Sequence, residues 1–131
     1  MKIVADTNVL VRAVVQDHAA QARAAAKVLA GAEMIAVTLP SLCEFVWVLR
    51  KVYRLRVADI AAAMRALLAT ANVETDRQGA EAGLRMLEAG GDFADGVIAH
   101  EGRWLGGEVF VSFDRQAVDL LTIQDVPARM P

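Results

Sequence analysis

The chain has 131 residues, of which 56% are apolar and 23% charged, and its 14 basic and 16 acidic side chains leave a formal net charge of −2. That length and apolar fraction support one domain, residues 1–131, with a real core, and exclude a disordered chain. A slightly acidic balance gives no global attraction to nucleic acid, so any such partner must be met by local patches.

KIVA (2–5) is a short apolar run ahead of the turn-like Asp6-Thr7-Asn8, which predicts a buried strand followed by a helix start. Asp6 interrupts the N-terminus before a signal-peptide core can form, and no apolar run reaches the ~20 residues needed to span a bilayer. The expectation is a cytoplasmic protein with no membrane partner. HAAQARAAAKVLAGA (18–32) is alanine-rich and predicts a helix ending near Gly31. MIAVT (34–38) leans to strand. From Pro40, Leu42, Phe45, Val46, Leu49, Val52 and Tyr53 keep helical spacing, and Val57, Ile60, Ala61, Met64, Leu67, Leu68 and Ala71 resume it. These predict an antiparallel helical pair with a very short connection. Cys43, the single cysteine, excludes an internal disulfide and a Cys-based zinc cluster, and its apolar neighbours predict a small buried thiol.

RKVYRLR (50–56) concentrates Arg50, Lys51, Arg54 and Arg56. It reads first as cations favoured at a helix C-terminus by the macrodipole, and second as a phosphate-contacting edge; both can hold together. Residues 77–89 are a helix stopped by Gly90-Gly91. A further helix runs from 92 to about Leu105, closed by Gly106-Gly107. EVFVSF (108–113) alternates like a strand, and RQAVDLL (115–121) is a short helix. Strands separated by helices imply α/β architecture: a central parallel sheet flanked by helices in three layers.

Acids open these helices repeatedly. Asp6 and Asp114 follow strands, Glu44 follows Pro40, and Asp92 and Asp95 follow Gly-Gly. Residues just beyond strand ends gather along the carboxyl edge of a parallel sheet, where ligands bind. Each acid taken alone reads as a cap, worth ~1 kcal/mol, and Ser41-x-x-Glu44 and Asp92-x-x-Asp95 resemble capping boxes. In the helix from 92, Phe93, Ala94, Val97, Ile98, Trp104 and Leu105 fall on one arc. Asp92, Asp95, Gly96 and Ala99 fall opposite, as a solvated face or as a carboxylate wall with room beside it. Glu44 lies beside Trp47 and Val48, which predicts desolvation and a raised pKa unless something positive pairs with it. Carboxylates drawn together repel, and a hard divalent cation relieves that repulsion; oxygen donors without His or Cys suit Mg²⁺ or Mn²⁺, not zinc. His18 and His100 read as ordinary polar histidines, and Trp47 and Trp104 read as core packing rather than base-stacking platforms.

DTNVLVR (6–12), PSLCEFVWVLR (40–50), DFADGVIA (92–99) and VSFDR (111–115) resemble, in order and spacing, the signature blocks of PIN-domain ribonucleases. More narrowly, they resemble those of VapC-type toxins of bacterial toxin–antitoxin pairs. The resemblance runs through nearly the whole chain. It implies a PIN-like fold and a Mg²⁺- or Mn²⁺-dependent endoribonuclease acting on RNA. By position, Asp6, Glu44 and Asp95 match the principal acidic triad, Asp114 the more variable fourth acid, and Asp92 an additional acid of the subgroup. Thr7, Asn8 and Ser112 match polar positions that orient carboxylates or metal-bound water. Gly96 stands where the family usually has alanine, which is expected to loosen the helix slightly. The resemblance further implies a homodimer and inhibition by a small cognate VapB-type antitoxin whose tail covers the active groove. The helical pair of residues 40–71 is expected to form part of that groove, with Arg50, Lys51, Arg54 and Arg56 guiding RNA.

Two rival classes share an acidic Mg²⁺ pocket on an α/β domain. A receiver-type signalling domain needs a lysine after a late strand, whereas the lysines here are Lys2, Lys27 and Lys51. A haloacid-dehalogenase-type phosphatase places a second aspartate two residues after the first, where this chain has Asn8. A PIN scaffold used only for binding is the third alternative, and the presence of all four acids weighs against it.

Overall fold

Lys2–Val4 forms β1, and the computed structural model, which describes residues 1–131, pairs it in parallel with β2 (Met34–Ala36). Ile3 sits opposite Ile35, and β2 in turn pairs in parallel with β3 (Val73–Glu74), Ile35 lying opposite Val73. Parallel neighbours require long crossovers. Helices α1 (Thr7–Val14) and α2 (Ala19–Gly31) make the first, and α3 (Leu39–Trp47), a π-helical turn (Val48–Val52) and α4 (Val57–Ala69) make the second. The chain divides into two compact units, and these elements make up the first, Met1–Asp76. Leu10, Ile35, Leu42, Phe45, Leu49, Ile60, Met64 and Val73 are all buried in it.

The second unit, Arg77–Pro131, holds α5 (Arg77–Glu88), α6 (Phe93–Trp104), β4 (Phe110–Val111), α7 (Arg115–Ile123) and β5 (Ala128–Arg129). β4 and β5 pair in parallel, Phe110 opposite Ala128. Met86, Ala99, Ala117 and Leu121 form a buried cluster with Phe110, Leu120, Val126 and Ala128 packed against it. The architecture is α/β, with parallel strands throughout and seven α-helices around them. No helix is long and apolar enough to cross a membrane.

Helix ends follow the residues that mark them. His18 caps α2, its Nδ1 accepting from the Gln21 amide at 3.2 Å, so the first histidine is structural. Gly90 (φ +97°) and Gly106 (φ +103°) close α5 and α6. In each case two amides turn back, Gly91 to Met86 at 2.8 Å and Gly90 to Leu87 at 3.1 Å, Gly107 to Gly102 at 2.9 Å and Gly106 to Arg103 at 3.0 Å. This is the Schellman arrangement, and its left-handed residue favours glycine.

Several expectations change. The helix from Pro40 does not run evenly to Tyr53: after Trp47 it widens, and the Tyr53 amide bonds the Val48 carbonyl five residues back at 3.2 Å. The strand expected over 108–113 shortens to Phe110–Val111, and MIAVT shortens to its first three residues. β3 and β5 were not expected, since two residues carry no alternation to read. Cys43 is only partly buried.

Candidate functional site

In the first unit the chain leaves β1 through Ala5, whose amide still bonds the Ala36 carbonyl at 3.1 Å. Asp6 follows in extended conformation as the cap of α1, its Oδ1 accepting from the Thr7 amide at 2.8 Å. Thr7 is buried, and its Oγ1 donates to Glu44 Oε2 at 3.0 Å. Asp6, Thr7, Asn8 and Glu44 thus line one pocket of about 310 Å³, together with Arg12 and Tyr53.

Glu44 corrects two expectations. It is not part of a capping box, because Thr38 caps α3 by accepting from the Ser41 amide at 3.3 Å, with Pro40 inside the first turn. Nor is it desolvated: its side chain is exposed, and Trp47 beside it is 59% exposed. An acid beyond the first turn gains little from the helix terminus. Its position is therefore not explained by capping.

In the second unit Asp92 caps α6, accepting from the Ala94 amide at 3.0 Å, and Asp95 lies in the first turn. Asp114 caps α7, accepting from the Ala117 amide at 3.2 Å, while the Asp114 amide donates to Ser112 Oγ at 3.0 Å. Ser112 therefore shapes the approach to Asp114. Partial burial holds the Asp95 carboxyl above the ordinary aspartate range, and the charges of Asp92 and then Asp114 push it further the same way. The helix terminus pulls in the opposite sense and loses.

The expected carboxylate wall on α6 needs correction as well. Phe93 and Val97 are buried as expected, but Gly96 and Ala99 are buried with them, while Ile98 and Trp104 are exposed, so the packed side takes in the small residues and only part of the apolar arc. A Cβ on Gly96 would collide with the Ala82 carbonyl oxygen of α5. Glycine here permits a close helix contact and does not loosen α6. Trp104 is 75% exposed, so neither tryptophan is core.

Of the basic residues, Arg50 and Lys51 lie in the π-helical turn, and Arg54 (φ +55°) follows it. Arg56 is paired with Asp59 at 3.2 Å, both exposed. Sequence reasoning missed Arg12 and Tyr53 in the pocket of the first unit. The signal was present: Asn8 and Arg12 are four apart on one helix and share a face.

The donor set is all oxygen, and the like charges around Asp95 are of the kind a cation relieves. Its chemistry fits a hard ion, although no three His, Cys, Asp or Glu side chains converge as a group able to hold one. The PIN domain family matches the chain over residues 3–120, and the chain belongs to that family, whose fold is generally a nuclease fold. A comparison with curated proteins gives no match.

Proposed function

We propose that the chain is a Mg²⁺- or Mn²⁺-dependent endoribonuclease, and that it acts as the VapC-type toxin of a type II toxin–antitoxin pair. The observation that carries the nuclease reading is the environment of Asp95. A partly buried carboxylate with two further aspartates raising its pKa is poised for a positive partner. Family membership supports the reaction class, and the sequence blocks support the toxin subtype.

Asp6, Asp95 and Asp114 are the residues that would hold the ion, with Glu44 supporting it directly or through water and Asp92 in an accessory place. When bound, such an ion lowers the pKa of a coordinated water and offsets the charge developing on the phosphate. Glu44, steadied by Thr7, orients the attacking water. Ser112 and Asn8 fix the neighbouring backbone and amide geometry. In-line attack on phosphorus releases a 3′-hydroxyl and leaves a 5′-phosphate on the other fragment. Arg50, Lys51 and Arg54 supply local cationic contacts that the whole chain lacks. An antitoxin tail carrying an arginine would satisfy the same carboxylates and so inhibit; a homodimer in the cytoplasm completes the proposal.

The test is cleavage of total bacterial RNA by antitoxin-free protein with Mg²⁺, with Mn²⁺ and with chelator, beside Asp95→Asn. Discrete metal-dependent cuts bearing 5′-phosphates, lost in the folded variant, are expected. Equal inertness of both proteins with either metal would turn the reading towards a binding scaffold.

A further inference from the structure

Arg12 stands on the walls of two cavities. One is the carboxylate pocket of about 310 Å³. The other, about 440 Å³, lies between α1 and α2 and is lined by Asn8, Val9, Arg12, Gln21, Ala25 and Val28 among others. Asn8 and Arg12 belong to both. The volume of the second falls within the roughly 300–1,000 Å³ of small-molecule sites, and an extended RNA strand leaving the carboxylate pocket across Arg12 would enter it.

The side chains around Arg12 are fixed and only partly spent. Its Nε donates to Gln21 Oε1 at 2.8 Å, and its Nη1 donates to Asp17 Oδ1 at 2.7 Å and to Tyr53 Oη at 3.0 Å. Tyr53 Oη donates in turn to Asp17 Oδ2 at 3.2 Å. A guanidinium has five N–H donors and no acceptor, so these bonds leave the two on Nη2. The Gln21 oxygen is turned to Arg12, which leaves its Nε2 as a further donor. Asp17 already answers the Arg12 charge, so the cavity favours an uncharged polar ring over a second phosphate. Its remaining wall of Val9, Ala24, Ala25 and Val28 is apolar, as the face of a planar ring requires.

We propose that the α1–α2 cavity is a nucleobase subsite, taking the base of a nucleotide beside the one cut, and that guanine is the base it favours. This rests on the ribonuclease reading above. Guanine presents two neighbouring acceptors, O6 and N7, to the donors of Arg12 and Gln21, whereas adenine and cytosine place an amino donor on the same edge. Arg12 and Gln21 are then specificity-determining residues, and Asp17 and Tyr53 position Arg12.

The test uses free nucleosides, which carry no phosphodiester bond and need no cleavage. Guanosine, adenosine, cytidine and uridine are titrated into isotope-labelled protein, and side-chain amide and methyl resonances are followed. Guanosine is expected to bind tightest and to shift the Gln21 amide and the Val28 methyls. Gln21→Ala weakens it about tenfold, as loss of one base contact should, and Val28→Asp, on the exposed wall, does the same with the fold intact. Equal weak binding of all four nucleosides, no binding, or shifts confined to residues away from α1 and α2 would each overturn the subsite. Guanosine binding by a protein that cuts no RNA would keep the subsite and remove the nuclease reading instead.

Discussion

Thr7 and Glu44 are 37 positions apart in sequence and joined by one 3.0 Å hydrogen bond, donated from the start of α1 to the middle of α3. It ties Glu44 to the start of α1, beside Asp6 and Asn8 in the same pocket. Thr7→Val keeps the branched shape and deletes the donor. Because Glu44 is exposed, water replaces the lost bond, and stability should stay within about 0.5 kcal/mol of wild type. Cleavage, on the proposed ribonuclease reading, should fall about tenfold, since a displaced water-orienting group is felt strongly in rate. Parallel denaturation and RNA-cleavage measurements check both halves, and an active Thr7→Val protein would remove the positioning role.

Asp95 predicts a pH dependence of stability. Its folded pKa is raised above the unfolded value, so the native state binds its proton more tightly. The stabilising contribution of this group is complete below the unfolded pKa and is lost as pH rises through the folded one. At neutral pH the charged carboxylate therefore opposes folding. Asp95→Asn should melt slightly higher than wild type at pH 7 without metal, and the gap should close as the pH is lowered through the carboxylate range. Added Mg²⁺ should raise wild type more than the variant, because only a ligand that prefers the native state stabilises it.

Gly96 and Gly102 lie on the same helix and should respond in opposite ways to alanine. At Gly96 the new Cβ meets the backbone of Ala82, which has no rotamer to give way, whereas nothing lies within 4 Å of a Cβ at Gly102. Gly96→Ala should destabilise by about 1–3 kcal/mol despite the better helix propensity. Gly102→Ala should stabilise by up to ~1 kcal/mol. Chemical denaturation of the two variants decides it, and a stabilised Gly96→Ala would mean that α5 and α6 can separate freely.

The cations of residues 50–56 should not behave alike towards RNA. Lys51→Ala and Arg54→Ala should each lower the slope of log affinity against log salt by about 1. Arg56→Ala should change it less, because Asp59 already holds that guanidinium. Salt titrations of binding, with cleavage blocked by chelator, compare them directly.

The sequence made the caps at Asp6, Asp92 and Asp114 legible, because each depends on a short local pattern that needs no tertiary contact. The paired glycines at 90–91 and 106–107 were legible for the same reason. The capping-box pattern Ser41-x-x-Glu44 is not realised, because Thr38, three residues before Ser41, takes the capping role. The faces of α6 were legible only in part: Phe93 and Val97 are buried as expected, but hydrophobicity alone ranks glycine and alanine as weak core residues, while close helix contact selects them for their lack of bulk. Trp47 and Trp104 show the converse, large apolar side chains left exposed. The bond between Thr7 and Glu44, and the ties of Arg12 to Tyr53 and Asp17, join residues far apart in sequence. No window of sequence contains them.

The π-helical turn at Val48–Val52 sets how this stretch tolerates change in length. Five residues there occupy a wider loop of backbone, ended by the Tyr53 amide on the Val48 carbonyl. Deleting one of them would let the helix revert to its ordinary winding, with four residues covering about the arc that five cover here, so the elements beyond would turn little around the axis. The Tyr53 hydroxyl would stay on the side of Arg12, and the amide that now reaches five residues back would reach four. In evolutionary terms the segment is slack in the chain: a residue can be lost there without turning the far end away from the pocket, whereas a loss in the ordinary turns beside it would rotate everything beyond by about 100°.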